Sequence, residues 1–210
     1  MDVFVTYKNY KVNIMKNKYS FLAMCKLVFW VFRTKFICIK ARLIRFPIDL
    51  RGLDFIELGT NLTTGVGCRL EAFAQKGNKI LIFGKDVQIN DYVHICAMEK
   101  ISIGDNVLIA SHVYISDSSH GCYKGCNDDS SPKIPPIKRD YYKSPICIGK
   151  NVWIGEGVII MPGVVIGDGA IIGAHSIVNT NIEANSIAVG SPAKIIKKYN
   201  FSSQQWERVQ

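Results

Sequence analysis

A chain of 210 residues, 48% of them hydrophobic, can bury a full core in one domain or two, and this excludes an intrinsically disordered protein. Its formal net charge of +9, from 26 basic against 17 acidic side chains, points to an anionic partner such as nucleic acid, a bilayer surface or a phosphate-rich small ligand. Aromatic residues are not interleaved with the basic ones into a stacking platform, which argues against nucleic acid.

Residues 1–54 form a basic, apolar segment, with Lys8, Lys11, Lys16, Lys18, Lys26, Arg33, Lys35, Lys40, Arg42, Arg45 and Arg51 crowded into the first quarter of the chain. The run FLAMCKLVFWVF from Phe21 to Phe32 contains Lys26 and falls short of the ~20 residues that a membrane-spanning helix needs. Arg33, Lys35 and Lys40 follow it where a signal peptide would carry small residues, so a cytoplasmic protein is expected. Two readings of the segment stay open: a terminal helix packed on the main body, or an interfacial element resting on anionic lipid.

Residues 55–190 are dominated by a period of six. A weak copy runs through Ile56, Leu62, Cys68 and Ala74; clearer ones follow as FGKDVQ from Phe83, INDYVH from Ile89, IGDNVL from Ile103 and IASHVY from Ile109, with a two-residue slip between Ile95 and Ile103. From Ile148 the hexads IGKNVW, IGEGVI, IMPGVV, IGDGAI, IGAHSI and VNTNIE run without a break. An aliphatic residue opens each, and Val152, Val158, Val164, Ala170, Ser176 and Ile182 fill the fifth places. Such a unit suits a short strand and a tight corner, with Gly and Asn supplying the corner conformations. Three units close a triangular coil, and coils stabilise one another by stacking.

The polar segment Asp117 to Pro145 interrupts the repeat as an excursion loop, and a long loop in a compact domain is usually functional. The chain closes with a tail at 191–210 containing SPAKIIKK. Seven cysteines, Cys25, Cys38, Cys68, Cys96, Cys122, Cys126 and Cys147, are odd in number and scattered in apolar stretches, which predicts reduced, mostly buried thiols.

The hexads, with IGKNVWIGEGVIIMPGVVIGDGAIIGAHSIV and the later VGSPAKIIKKY, resemble the hexapeptide-repeat acyltransferases, in particular the sugar O-acetyltransferase branch that includes galactoside, maltose and lipopolysaccharide or O-antigen acetyltransferases. The resemblance spans about Ile56 to Tyr199. It implies an all-β, left-handed parallel β-helix, acetyl-CoA as donor, and a homotrimer with active sites between adjacent subunits.

Transfer to a hydroxyl requires a base to take its proton, and an imidazole of pKa near ~6.5 serves at neutral pH. Of His94, His112, His120 and His175, it is His120, in IASHVYISDSSHG, that matches the place of the family's catalytic histidine. Asp117 is a candidate to orient that imidazole, or a loop carboxylate without a catalytic duty. His120, Cys122 and Cys126 form H-x-C-x3-C, but without a C-x2-C pair or an evident fourth ligand no metal is expected.

By the same resemblance Asn90 helps to bind the acceptor sugar, while His94 and Glu99 are further candidates for it. The family's nearby acidic sugar ligand falls on Met98, which puts galactoside-like or maltose-like acceptors in doubt. For the donor, Gly155, Gly173 and Ala174 should keep a shallow groove for the pantetheine arm, with Trp153 as its wall and Lys194 and Lys197 near the CoA phosphates. His112 and His175 are read as structural. The expected activity is acetyl transfer to a sugar hydroxyl in surface-polysaccharide biosynthesis, on a sugar, nucleotide-sugar or lipid-linked oligosaccharide acceptor. The alternatives are N-acetylation of a nucleotide-linked amino sugar and a non-catalytic carbohydrate-binding scaffold.

Overall fold

The computed structural model describes residues 20–209 apart from Gln75, so Lys8, Lys11, Lys16 and Lys18 lie outside the described residues. Most of the chain is parallel β-structure in three sheets that it visits in rotation. Sheet one holds Ile48–Arg51, Cys68–Ala72, His94–Ala97, Tyr114–Ser116, Ile159–Ile160 and Ile177–Val178. Sheet two holds Ile56–Glu57, Leu81–Phe83, Ile101–Ile103, Ile146–Ile148 and Val165–Ile166. Sheet three begins Gln88–Ile89, Leu108–Ile109, Trp153–Ile154, Ile171–Ile172 and Ser186–Gly190.

In the regular half, partners lie three hexads apart: Cys147 pairs with Val165, Trp153 with Ile171 and Ile159 with Ile177. Both hexad columns point inward, since Ile148, Ile154, Ile160 and Val178 are buried together with Val152, Val158, Ala170 and Ser176. The core begins as early as Ala41 and Ile44. After Ser186–Gly190 the chain reverses, and Ala193–Asn200 and Gln205–Arg208 add antiparallel strands to sheet three where a tail was expected. The weak early copy keeps phase only to Cys68, because Leu70 and Ala72 take the core positions and Ala74 is left half exposed.

In the regular hexads opening from Phe83 to Ile172, each corner turns on the fourth residue, which adopts a left-handed backbone. Asp86, Tyr92, Asn106, His112, Asn151 and His175 all have φ of 57–59°, alongside Gly157, Gly163 and Gly169. Four of these six are neither Gly nor Asn, although that conformation costs other L-residues about 1–2 kcal/mol. Stacking along the corner column accounts for three of them. The Tyr92 and His112 rings lie nearly parallel at 5.2 Å. Beneath Tyr92 is Gly67, where a Cβ would come within 2.4 Å of the ring, and beneath His175 is Gly157, where it would come within 2.5 Å of Nδ1. His112 and His175 thus serve the packing of a corner.

The corner from sheet one to sheet two is irregular. The two-residue slip lies there, at Met98–Lys100, and the excursion leaves from the same corner higher up. Asp117, fully buried, joins the two levels: its carboxylate accepts from the backbone N–H groups of Met98, Glu99 and Lys100 at 2.7–2.8 Å. Burial pushes its pKa up, while those three donors pull the other way.

Helix α1, Phe21–Ile37, precedes the sheets. Ser20 caps it by accepting from the N–H of Ala23, and Thr34 is its one buried residue. The cysteines are all free as expected, but only Cys68 is buried, and Cys25, Cys126 and Cys147 are exposed. An odd strand position faces outward whatever its polarity, which places Cys147 outside between Ile146 and Ile148.

Gly157→Ala should lower stability by about 1–2 kcal/mol from the backbone alone, with a further loss from the clash against His175. Adding His175→Gly should recover only the clash, so urea unfolding of the two singles and the double will be non-additive.

Candidate active site

The excursion is more ordered than a plain loop. Ser118–His120 pairs antiparallel with Tyr141–Lys143, with His120 opposite Tyr141, so a hairpin stem presents the imidazole at its tip. His120 is exposed, and its ring rests on that of Tyr141 at 4.6 Å. Its backbone carbonyl accepts from the hydroxyl of Tyr123, whose oxygen accepts in turn from Arg139 at 2.6 Å. Arg139 also donates to the carbonyl of Ile134 at 2.8 Å. Gly121 makes this possible, with φ +112° and a position where a Cβ would lie 2.5 Å from the Tyr123 hydroxyl.

Sequence reasoning missed Tyr123, Arg139 and Tyr141. Only their membership in the excursion pointed to them. The loop beyond the stem encloses a hollow of about 750 Å³, lined among others by Lys124, Ser131, Lys138, Arg139 and Tyr141. Lys124 and Tyr142 touch on its wall, with the ammonium 4.4 Å from the ring centre; their interaction holds the ammonium pKa up and the phenol pKa down.

Two expected roles change. Asp117 does not orient His120, because both its oxygens are engaged by the backbone of the coil below. His94 lies on the outer face of sheet one, where its Nε2 meets Glu71 at 2.6 Å and Arg69 at 3.0–3.1 Å. Glu71 is buried and also paired with Arg51 at 2.8 Å, so His94 belongs to a closed ionic ladder instead of reaching toward a sugar. In this ladder burial beside Glu71 and Asp117 pushes the Cys96 thiol up to about 11. Glu99 is exposed at the hairpin's corner, and Asn90 is half-exposed at the corner from sheet three to sheet one.

The donor candidates share that second corner and the adjoining sheet. Trp153 is 50% exposed, and its row continues through Ile171 and Ile187 to Lys197. Gly155 and Gly173 stack in adjacent coils: a Cβ on Gly155 would be 2.7 Å from the Ala174 nitrogen, and one on Gly173 would be 2.7 Å from Val189. Those glycines are therefore required by stacking itself, and Ala174 stands exposed beside them. Lys194 pairs with Val189 at the head of the corner column. Within the chain, then, the donor candidates and Asn90 occupy one corner with its adjoining sheet, and His120 with Glu99 another.

Among the described residues, Cys122, Cys126 and Asp129 bring ligand-type atoms within 4.8 Å of one another. Asp129 spends its carboxylate on the N–H groups of Lys124 and Gly125 at 2.9–3.1 Å, closing a turn. His120 is not part of the cluster.

The family model for the bacterial transferase hexapeptide (six repeats) matches residues 148–187. WbbJ of Escherichia coli K12, named as a lipopolysaccharide biosynthesis O-acetyl transferase, is 43% identical over 92% of this chain and 97% of its own. The galactoside O-acetyltransferase of Escherichia coli K12 is 38% identical over 56% of this chain and 53% of its own. Among solved structures, the N-acyltransferase AntD of Bacillus cereus, in complex with dTDP-4-amino-4,6-dideoxyglucose and coenzyme A, is 26% identical, covers 81% of this chain and 91% of its own, and superposes with a TM-score of 0.65. With its hexads in three parallel sheets and a relative matched over nearly its whole length, the chain belongs to the hexapeptide-repeat acyltransferases and is related to their O-acetyltransferases.

Proposed function

We propose that this acyltransferase moves an acetyl group from acetyl-CoA to a sugar, with His120 as the general base. The observation that carries the reading is the exposed imidazole at the tip of a hairpin, with its ring set on Tyr141 and its backbone tied to Tyr123. An acceptor lone pair attacks the thioester carbon, and His120 takes the acceptor's proton. The tetrahedral adduct collapses with cleavage of the C–S bond, and the imidazolium returns a proton to the departing thiolate. Backbone N–H groups beside the thioester would hold the oxyanion.

We read the three-sheet rotation as a left-handed parallel β-helix, and the active unit as a homotrimer. The separation of the donor wall from His120 supports this: a three-fold assembly sets one protomer's corner against a different corner of the next. On that reading Trp153, Gly155, Gly173 and Ala174 line the pantetheine arm, Lys194 and Lys197 meet the CoA phosphates as point charges, and Asn90 and Glu99 contact the acceptor.

The acceptor atom is the open choice. A nucleotide-linked amino sugar is favoured by AntD, an N-acyltransferase whose solved complexes match this chain with TM-scores up to 0.65. The hydroxyl of a surface polysaccharide or its lipid-linked precursor is supported by the 43% identity to WbbJ. The structural matches weigh toward the amine over the hydroxyl expected from sequence. We place the reaction in the cytoplasm; no helix among the described residues is long and apolar enough to cross a membrane.

His120→Ala should keep its circular dichroism spectrum while thiol release from acetyl-CoA, screened over sugars, amino sugars and nucleotide sugars, falls by ~10²–10⁴. Turnover at the wild-type rate would remove His120 from the mechanism. Mild alkali then identifies the product: an ester loses its acetyl group and an amide keeps it. Asp117→Ala, which strands three backbone donors, should cost roughly 3 kcal/mol or more of stability. Asp117→Asn retains one acceptor oxygen, and its turnover below the melting temperature should stay close to wild type; a drop of His120→Ala size would restore Asp117 to a catalytic role.

A further inference from the structure

Among the described residues, the contacts that fix helix α1 to the sheets come from its C-terminal turn. Thr34 is buried, with its hydroxyl accepting from the N–H of Ile44 at 2.8 Å and donating to the carbonyl of Trp30 at 2.7 Å. Arg33 lies over the Phe46 ring at 3.9 Å, and Lys35 donates to the carbonyl of Ala41 at 2.8 Å. N-terminal to this turn the helix exposes large apolar side chains. Phe21 is 79% exposed, Val28 70%, and Phe29 and Phe32 more than half. At about 1.5 Å per residue it is about 25 Å long.

Two properties decide what covers it. At about 100° per residue the exposed apolar side chains Phe21, Leu22, Met24, Val28, Val31 and Phe32 cover one half of the helix, wider than a single stripe, while Ala23, Leu27, Trp30 and Thr34 on the other half are half-buried or buried. A broad apolar face flanked by Lys26 and Arg33 suits a bilayer boundary, where acyl chains meet the face and headgroups meet its flanks. The charge is one-sided as well. Residues 20–48 contain Lys26, Arg33, Lys35, Lys40, Arg42 and Arg45 and not one Asp or Glu. Neither Lys26 nor Arg33 meets a carboxylate among the described residues. Packing this helix on a second copy of itself would set cations against cations with no acid to offset them.

We propose that α1 is a membrane-docking element that sinks its apolar side chains into the headgroup and acyl boundary of an anionic bilayer. Lys26 and Arg33 reach back along their methylene stems to lipid phosphates, and the basic segment to Arg45 adds attraction at the surface. Trp30, within 5.0 Å of the Lys26 ammonium, has the amphipathic ring suited to that depth. The proposal goes beyond the acyl-transfer reading and does not depend on it, since lipid binding and turnover are measured separately.

The test sediments the full-length protein with vesicles of phosphatidylcholine and with vesicles of phosphatidylcholine mixed with phosphatidylglycerol. Pelleting is expected with the anionic vesicles, falling as salt rises, with a blue shift of tryptophan emission. Phe29→Glu combined with Phe32→Glu should abolish it. Lys26→Glu should weaken it about five-fold or more, and keeps the proposal testable if the double variant does not fold. Sedimentation velocity follows the oligomeric mass of both variants. Wild-type protein left in the supernatant with either vesicle, or binding unchanged by the substitutions, would overturn the proposal. So would a fall in oligomeric mass in the folded double variant, which would make α1 a contact between copies of the chain.

Discussion

Parallel register between successive coils is the constraint that the rest of the molecule obeys. The regular strands are two residues long, so their backbone groups find partners only one coil above or below, as Leu108 N–H does at the carbonyl of Val152 and Trp153 N–H at that of Ala170, both at 3.0 Å. A residue inserted within a strand would turn inward side chains outward all along the column. Length can change only at corners. Even there the left-handed fourth residue has to sit at the same height in each coil, which is why Tyr92, His112 and His175 accept a backbone shape they do not prefer.

The irregular parts of the β-structure cluster accordingly. Residues 73–80, Met98–Lys100 and the excursion with its hairpin all fall at the corner from sheet one to sheet two. A widened corner leaves backbone donors without partners in the next coil, and Asp117 supplies the missing acceptors. The same carboxylate lies at the root of the hairpin that carries His120. Its position beside the imidazole in sequence invites a catalytic reading, whereas its geometry makes it the anchor of the platform beneath.

The periodic part of this architecture is legible in the sequence because inward positions repeat: Ile148 to Val178 and Val152 to Ser176 are read as columns, and they are columns. The excursion and its histidine are legible by contrast, as a break in that rhythm. Partners contributed from distant positions are not. Nothing in the spacing says that Glu71 will be buried between Arg51, Arg69 and His94, since those contacts arise only when coils stack across a sheet. Tyr123 and Arg139 are hidden for a similar reason, because an irregular loop has no period from which to infer which polar atoms meet. The early coils lose the period at Ala74 because Cys68, Leu70 and Ala72 all point inward on a longer strand that shifts the beat.

Net charge is the least specific of the sequence signals, because it sums surfaces with different surroundings. Lys194 and Lys197 stand on the first antiparallel strand of sheet three, at the head of the rows that descend to Gly155 and Trp153. The other basic cluster surrounds α1 at the opposite end of the chain, beside exposed Phe and Val side chains. A phosphate on a soluble cofactor needs a few fixed cations at the end of a narrow wall; a phosphate at a bilayer surface needs cations interspersed with apolar side chains that can enter it. The surplus of +9 is compatible with either ligand, and the apolar company of each basic residue distinguishes them.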